Sequence, residues 1–79
     1  MMEVDCETPR FALHYDSRYG IGFIRRKSAS AETPLITGSD MTELRRTLNR
    51  VKTNATSRRK PHRPFAEIAD VILGEYFIQ

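Results

Sequence analysis

The chain has 79 residues, one cysteine and a formal net charge of +3, enough for one domain that buries only about 60% of its unfolded surface. No internal disulfide is available to reinforce it, and Cys6, His14 and His62 lack the spacing of a metal site. No apolar run can span a membrane, and the acidic start Met1-Met2-Glu3-Val4-Asp5 lacks the regions of a signal peptide, so a cytoplasmic protein without a cofactor is expected.

Residues 1–9 are polar and short of apolar anchors, which predicts a flexible leader ahead of a single α+β domain over residues 10–79. Alternation begins at Arg10. Phe11, Leu13 and Tyr15 share one face of an extended segment, and Ala12, His14 and Asp16 share the other. Asp16-Ser17-Arg18 supplies turn chemistry, and Tyr19, Ile21 and Phe23 share a face of the next run. Two alternating runs joined by a short polar turn predict an antiparallel hairpin. Gly20 and Gly22 suit a bulge or close cross-strand packing better than a phosphate loop, because no third glycine and no helix follow them.

Residues 27–33 are small and polar, and Pro34-Leu35-Ile36-Thr37 is a candidate third strand ending at Gly38. The clearest element comes next. Asp40 resembles an N-cap, with Ser39 as the alternative, and Met41, Leu44, Leu48, Val51 and Ala55 recur at helical spacing. A helix over residues 40–55 follows, apolar on one side, with Arg45, Arg46, Asn49, Arg50 and Lys52 off the apolar stripe. Residues 53–63 lack apolar anchors after Ala55, and Pro61 breaks any helix there; a basic exposed loop is expected. Pro64 suits the first turn of a last helix, with Phe65, Ile68, Ala69, Ile72 and Tyr76 as its apolar stripe and Glu67 and Asp70 as a solvated face. Gly74 marks a candidate end for it. The apolar tail Tyr76, Phe77 and Ile78 has two fates, burial in the chain's own core or self-association into a homo-oligomer, with burial favoured.

These elements amount to a small antiparallel sheet of two or three strands packed against two helices. The expected core is Phe11, Leu13, Tyr15, Ile21, Phe23, Ile36, Leu44, Leu48, Val51, Phe65, Ile68 and Ile72. Three strands followed by a helix resemble, in topology alone, the arm-binding domains of some integrases and plant AP2-type domains. No sequence motif supports the resemblance, so no residue roles are carried over.

Catalysis is poorly supported, since no nucleophile has a base and an orienting group beside it; the chain is read as a non-enzymatic binding protein. The net charge conceals a strong asymmetry. Residues 25–63 hold eleven bases against three acids, a local net of +8, while the rest holds two bases against seven acids, a net of −5. Such a separation attracts anions and steers association. The bases fall into three clusters: Arg25, Arg26 and Lys27; the helix residues Arg45, Arg46, Arg50 and Lys52, with Asn49 among them; and Arg58, Arg59, Lys60 and Arg63 in the loop. A polar helix face alone explains part of the second cluster, because arginine is a good helix former. It does not explain the loop, nor why Glu43 is the only acid between Met41 and Arg63. Nucleic acid is the first expected partner, with Asn49 able to contact a base edge and Tyr15, Tyr19 or His14 able to stack a base. The alternative is a protein-interaction module docking on an acidic protein. It would be an adaptor, regulator or inhibitor of the size of phage- or plasmid-encoded accessory factors.

Overall fold

The structure is a computed structural model that describes residues 2–57 and 64–78. Three strands, β1 (Glu3–Glu7), β2 (Phe11–Asp16) and β3 (Ile21–Arg26), precede two helices, α1 (Gly38–Ser57) and α2 (Phe65–Ile78). The strands form one antiparallel sheet in the order β1-β2-β3, so the α+β class holds and the sheet has three strands.

The hairpin expected from alternation is β2–β3, with Leu13 opposite Ile24 and Tyr15 opposite Gly22. Its turn is closed by Asp16, whose carbonyl accepts from the Gly20 amide at 2.8 Å and whose carboxylate accepts from the Arg18 amide at 2.9 Å. The third strand lies elsewhere than expected. Glu3–Glu7, read from sequence as part of a flexible leader, pairs with β2 and carries a register irregularity between Val4 and Cys6. Residues 34–37 make no full strand. They belong to a strap along β3 that touches it at isolated bridges, Gly22 with Ile36 and Arg25 with Glu32. The Gly22 and Ile36 backbones exchange bonds of 3.0 and 2.7 Å, and the Thr33 amide donates to the Ile24 carbonyl while the Thr33 hydroxyl oxygen accepts from the Ile24 amide. The strap thereby occupies hydrogen-bonding groups that an edge strand otherwise offers to another chain.

Both helices cover one face of the sheet. Leu13 and Ile24 are fully buried there, together with Phe11, Met41, Leu44, Leu48, Ala69 and Leu73. This corrects the expected face of β3. Ile24 belongs to the core, while Ile21 and Phe23 stand on the open face, half-buried. The cause is Gly22, which occupies a core-facing position without a side chain. A Cβ there would fall inside contact distance of the His14 carbonyl oxygen and 2.8 Å from Met41 Cε. Close packing is thus the role of Gly22, and it lets the first turn of α1 settle on the sheet.

α1 begins at Gly38 rather than at an Asp40 cap. Gly38 adopts φ 58°, a left-handed conformation that side chains disfavour, and its carbonyl accepts from the Thr42 hydroxyl at 3.2 Å. Pro64 precedes α2 and its carbonyl accepts from the amides of Glu67 and Ile68. The helix continues through Gly74 to Ile78, so the residues after Gly74 form neither a loose tail nor an added strand. Of the expected stripe, Ala69 is fully buried and Phe65, Ile72 and Tyr76 pack partly buried against the core, while the stripe's other fully buried residue is Leu73, which was not expected there. Tyr76 and Phe77 pack against the core, and the Phe77 ring lies 5.5 Å from that of Phe11. The two helices run in opposite directions: Tyr76 lies near Asp40 and Glu43, and burial, followed by those two carboxylates, pushes its hydroxyl pKa up.

Gly74 meets Phe11 from the other side, its missing Cβ being 3.3 Å from the Phe11 ring. Alanine would gain about 1 kcal/mol of helix propensity and crowd the ring by a few tenths of an ångström. Gly74→Ala is therefore expected to change stability by less than about 1 kcal/mol, whereas Gly74→Val costs more than about 2 kcal/mol by overpacking. Urea melts of the two variants check this.

Asp70 is not a solvated acid. It is buried, and its carboxylate accepts from the Thr8 hydroxyl at 2.7 Å, the Arg10 amide at 2.9 Å and Arg10 Nε at 2.6 Å. The β1–β2 connection is tied to α2 through this one side chain.

Candidate anion-binding groove and ridge

α1 lies on the sheet through Met41, Leu44 and Leu48, and at 100° per residue this places its polar side chains in distinct sectors. Arg45, Asn49 and Lys52 lean toward β1 and β2, Arg46 stands at the rim of that same side, and Arg50 points outward. Glu43 lies on the flank toward α2, near Tyr76. The acids of this helix, Asp40 and Glu43, lie in its first turns and its bases follow from Arg45 onward. Arg46, Asn49 and Arg50 are exposed, and neither arginine has a carboxylate within ion-pair reach among the described residues.

Between α1 and the β1–β2 edge runs a groove of about 640 Å³. Arg45, Arg46, Asn49 and Lys52 line the helix wall, and Asp5, Cys6 and Tyr15 line the sheet wall. Arg45 spans the two. Its guanidinium donates to both Asp5 carboxylate oxygens, at 3.2 and 3.3 Å, and lies over the Tyr15 ring at 4.0 Å. The hydrogen bond to Asp5 leads the causes that hold its pKa above the ordinary arginine value, burial opposing it. Burial raises the Cys6 thiol, and Asp5 adds to this while Lys52 opposes it. The thiol is consequently a poor nucleophile at neutral pH.

The first basic cluster does not join this groove. Arg25 follows Ile24 and so faces the open side of the sheet, away from α1. There its Nε donates to His14 Nε2 at 3.2 Å, and the His14 ring stacks on Phe23 at 4.8 Å. Lys27 pairs with Glu7 at 2.7 Å. That hydrogen bond, then the Lys27 charge, holds the Glu7 carboxyl below the usual carboxylate range. Arg26 is exposed at the end of β3. Arg58, Arg59, Lys60 and Arg63 lie outside the described residues. Of the expected set, the structure therefore gathers Arg45, Arg46, Asn49, Arg50 and Lys52 on one helix and sets Arg25 across the sheet from them. Of the proposed stacking residues, Tyr15 lines the groove, His14 is on the other face, and Tyr19 is exposed beside the hairpin turn.

Sequence reasoning passed over Asp5 and Phe65 as site residues. Asp5 had a usable signal, an acid alternating with Glu3 and Glu7 in a chain whose bases lie elsewhere. Its arginine partner is forty residues away.

No protein-family model, curated protein or solved structure matches the chain. Among the described residues, no helix is long and apolar enough to cross a membrane.

Proposed function

We propose that the protein is a non-enzymatic binding protein that engages nucleic acid through α1. The observation that carries this reading is the pair Arg46 and Arg50, exposed one turn apart and without a carboxylate partner among the described residues, with Arg46 and Asn49 at the groove. Two like charges at this spacing weaken an isolated helix. They become favourable when phosphates lie across them and counterions are released. Lys52 and the loop bases Arg58, Arg59, Lys60 and Arg63 extend the same sign along the chain. Arg25, Arg26 and Lys27 form a second contact on this reading. Its role is secondary because Arg25 and Lys27 already have partners on the far side of the sheet.

The test is fluorescence anisotropy with mixed-sequence nucleic acid across a salt series. Affinity is expected to fall log-linearly with salt, and Arg46→Ala and Arg50→Ala should each weaken binding to all sequences alike and reduce the slope by about one. Absence of binding at about 50 mM salt, where such contacts are strong, overturns the reading.

One observation favours an acidic protein partner instead. Asp5 lines the groove and Glu3 lies on the same side of the sheet, opposite Tyr15, where both would repel a long polyanion. A protein partner would meet that mixed rim with charges of both signs. Binding to a purified acidic protein that is lost on Arg46→Glu and unaffected by nuclease would establish this second reading.

A further inference from the structure

We infer that the groove between α1 and the β1–β2 edge takes single-stranded nucleic acid in preference to duplex, with Arg45 and Tyr15 receiving one nucleotide and Asp5 standing in for its phosphate in the free protein. This rests on the nucleic-acid reading above and names the form of the ligand.

The composition of the groove argues for a single strand. From Thr42 to Lys52 its helix wall extends ten residue steps, about 15 Å at the α-helical rise, which is the reach of a few nucleotides. Cations lie along that wall, while Tyr15, Leu48 and Phe65 provide aromatic and apolar surface within it. A single strand presents phosphates and unstacked bases together and uses both kinds of surface. A duplex keeps its bases stacked inside and would touch only the rim, leaving Tyr15 and Phe65 without a role.

The geometry of Arg45 identifies the phosphate position. Its guanidinium makes a two-pronged contact with a carboxylate and is supported from beneath by the Tyr15 ring. A fork held in this way is pre-organised for a phosphate, which offers the same pair of oxygens. Asp5 fills that place from β1. An incoming phosphate displaces the Asp5 carboxylate while the Arg45 guanidinium stays on the Tyr15 ring, so that fork and ring together hold one nucleotide. Asn49, on the same wall, is placed to reach the base edge.

The test compares a labelled oligothymidine, a mixed-sequence single strand and the corresponding duplex by anisotropy over a salt series, with circular dichroism confirming that each variant is folded. Single strands are expected to bind at least about tenfold more tightly than duplex. Tyr15→Ala, which removes the ring beneath the Arg45 fork, should weaken single-strand binding by about 2- to 30-fold, the range for losing one cation–π contact, while Tyr15→Phe retains it. Asp5→Asn should tighten single-strand binding, because the phosphate no longer has to displace a carboxylate from Arg45. Duplex binding as tight as single-strand binding, or Tyr15→Ala and Asp5→Asn both matching the unsubstituted protein, overturns the groove inference. The nucleic-acid reading then survives only if the slope change at Arg50, which lies outside the groove lining, remains. Absence of binding to every probe overturns both.

Discussion

Gly22→Ala is expected to remove about a quarter or more of the protein's stability. The new methyl group would enter the space of the His14 carbonyl oxygen, which is backbone and cannot swing aside, and would stand 2.8 Å from Met41 Cε. Relief requires β2 and β3 to separate or α1 to lift, and each movement opens the contacts around Leu13, Ile24 and Leu44. Overpacking a rigid core costs up to about 3 kcal/mol and occasionally more. A domain of this length has roughly 4–12 kcal/mol in total. The melting temperature should fall by about 12–24 °C, measured by circular dichroism. A fall of less than about 5 °C would show that the strands and helix yield easily at this point. Gly20 supplies the control. Nothing lies within 4 Å of its missing Cβ, but its φ is 65°. Gly20→Ala should cost only about 1–2 kcal/mol, and Gly20→Asn should recover part of it, whereas asparagine at position 22 should be no better than alanine.

The second large effect is expected at Asp70. Asp70→Ala removes the acceptor for Thr8, the Arg10 amide and Arg10 Nε together. Breaking a buried pair by deleting one partner costs about 3–5 kcal/mol. The lower end applies here, because Arg10 is more than half exposed and water can solvate it. A pH dependence follows. Burial pushes the Asp70 carboxyl pKa up, but the hydrogen bonds from Thr8 and Arg10, and the Arg10 charge, outweigh it and leave the group below its ordinary value. A carboxylate with a lowered folded-state pKa stabilises the fold at pH values above its unfolded pKa of about 4. That contribution is lost as pH falls through the lowered value. Stability measured by urea melts should therefore decline below about pH 4 more steeply in the unsubstituted protein than in Asp70→Asn, in which nothing at this position titrates. Parallel declines would show that Asp70 does not drive the acid response.

The elements with a strong local period were legible in the sequence: the β2–β3 hairpin, the core line Met41–Leu44–Leu48 of α1, and the existence of α2. What escaped was non-local. β1 has the sequence Glu-Val-Asp-Cys-Glu, whose single clear hydrophobe, Val4, is 52% exposed, so nothing in its pattern separates an edge strand from a polar leader. The face of β3 was misjudged because apolar counting favours Ile21 and Phe23, while the core-facing position next to Ile24 is a glycine. Asp70 looked solvated because its partners lie sixty residues earlier or more. The basic character of α1 was plain, and which of its bases line the groove followed only once the helix was seated. The pairing of Arg45 with Asp5 reduces the charge offered to a ligand in a way no window of sequence reveals.

The late position of α2 in the chain bears on how the protein is made. Ala69 and Leu73 are fully buried, Phe77 covers Phe11, and Asp70 anchors the first connection. During synthesis the sheet and α1 leave the ribosome first, with one side of their apolar surface still uncovered. The hairpin can form early because its contacts are local, but the core cannot close until the last helix has emerged. Over that interval the nascent chain exposes Phe11 and Leu13, and exposed apolar surface of this kind is what chaperones and neighbouring chains capture.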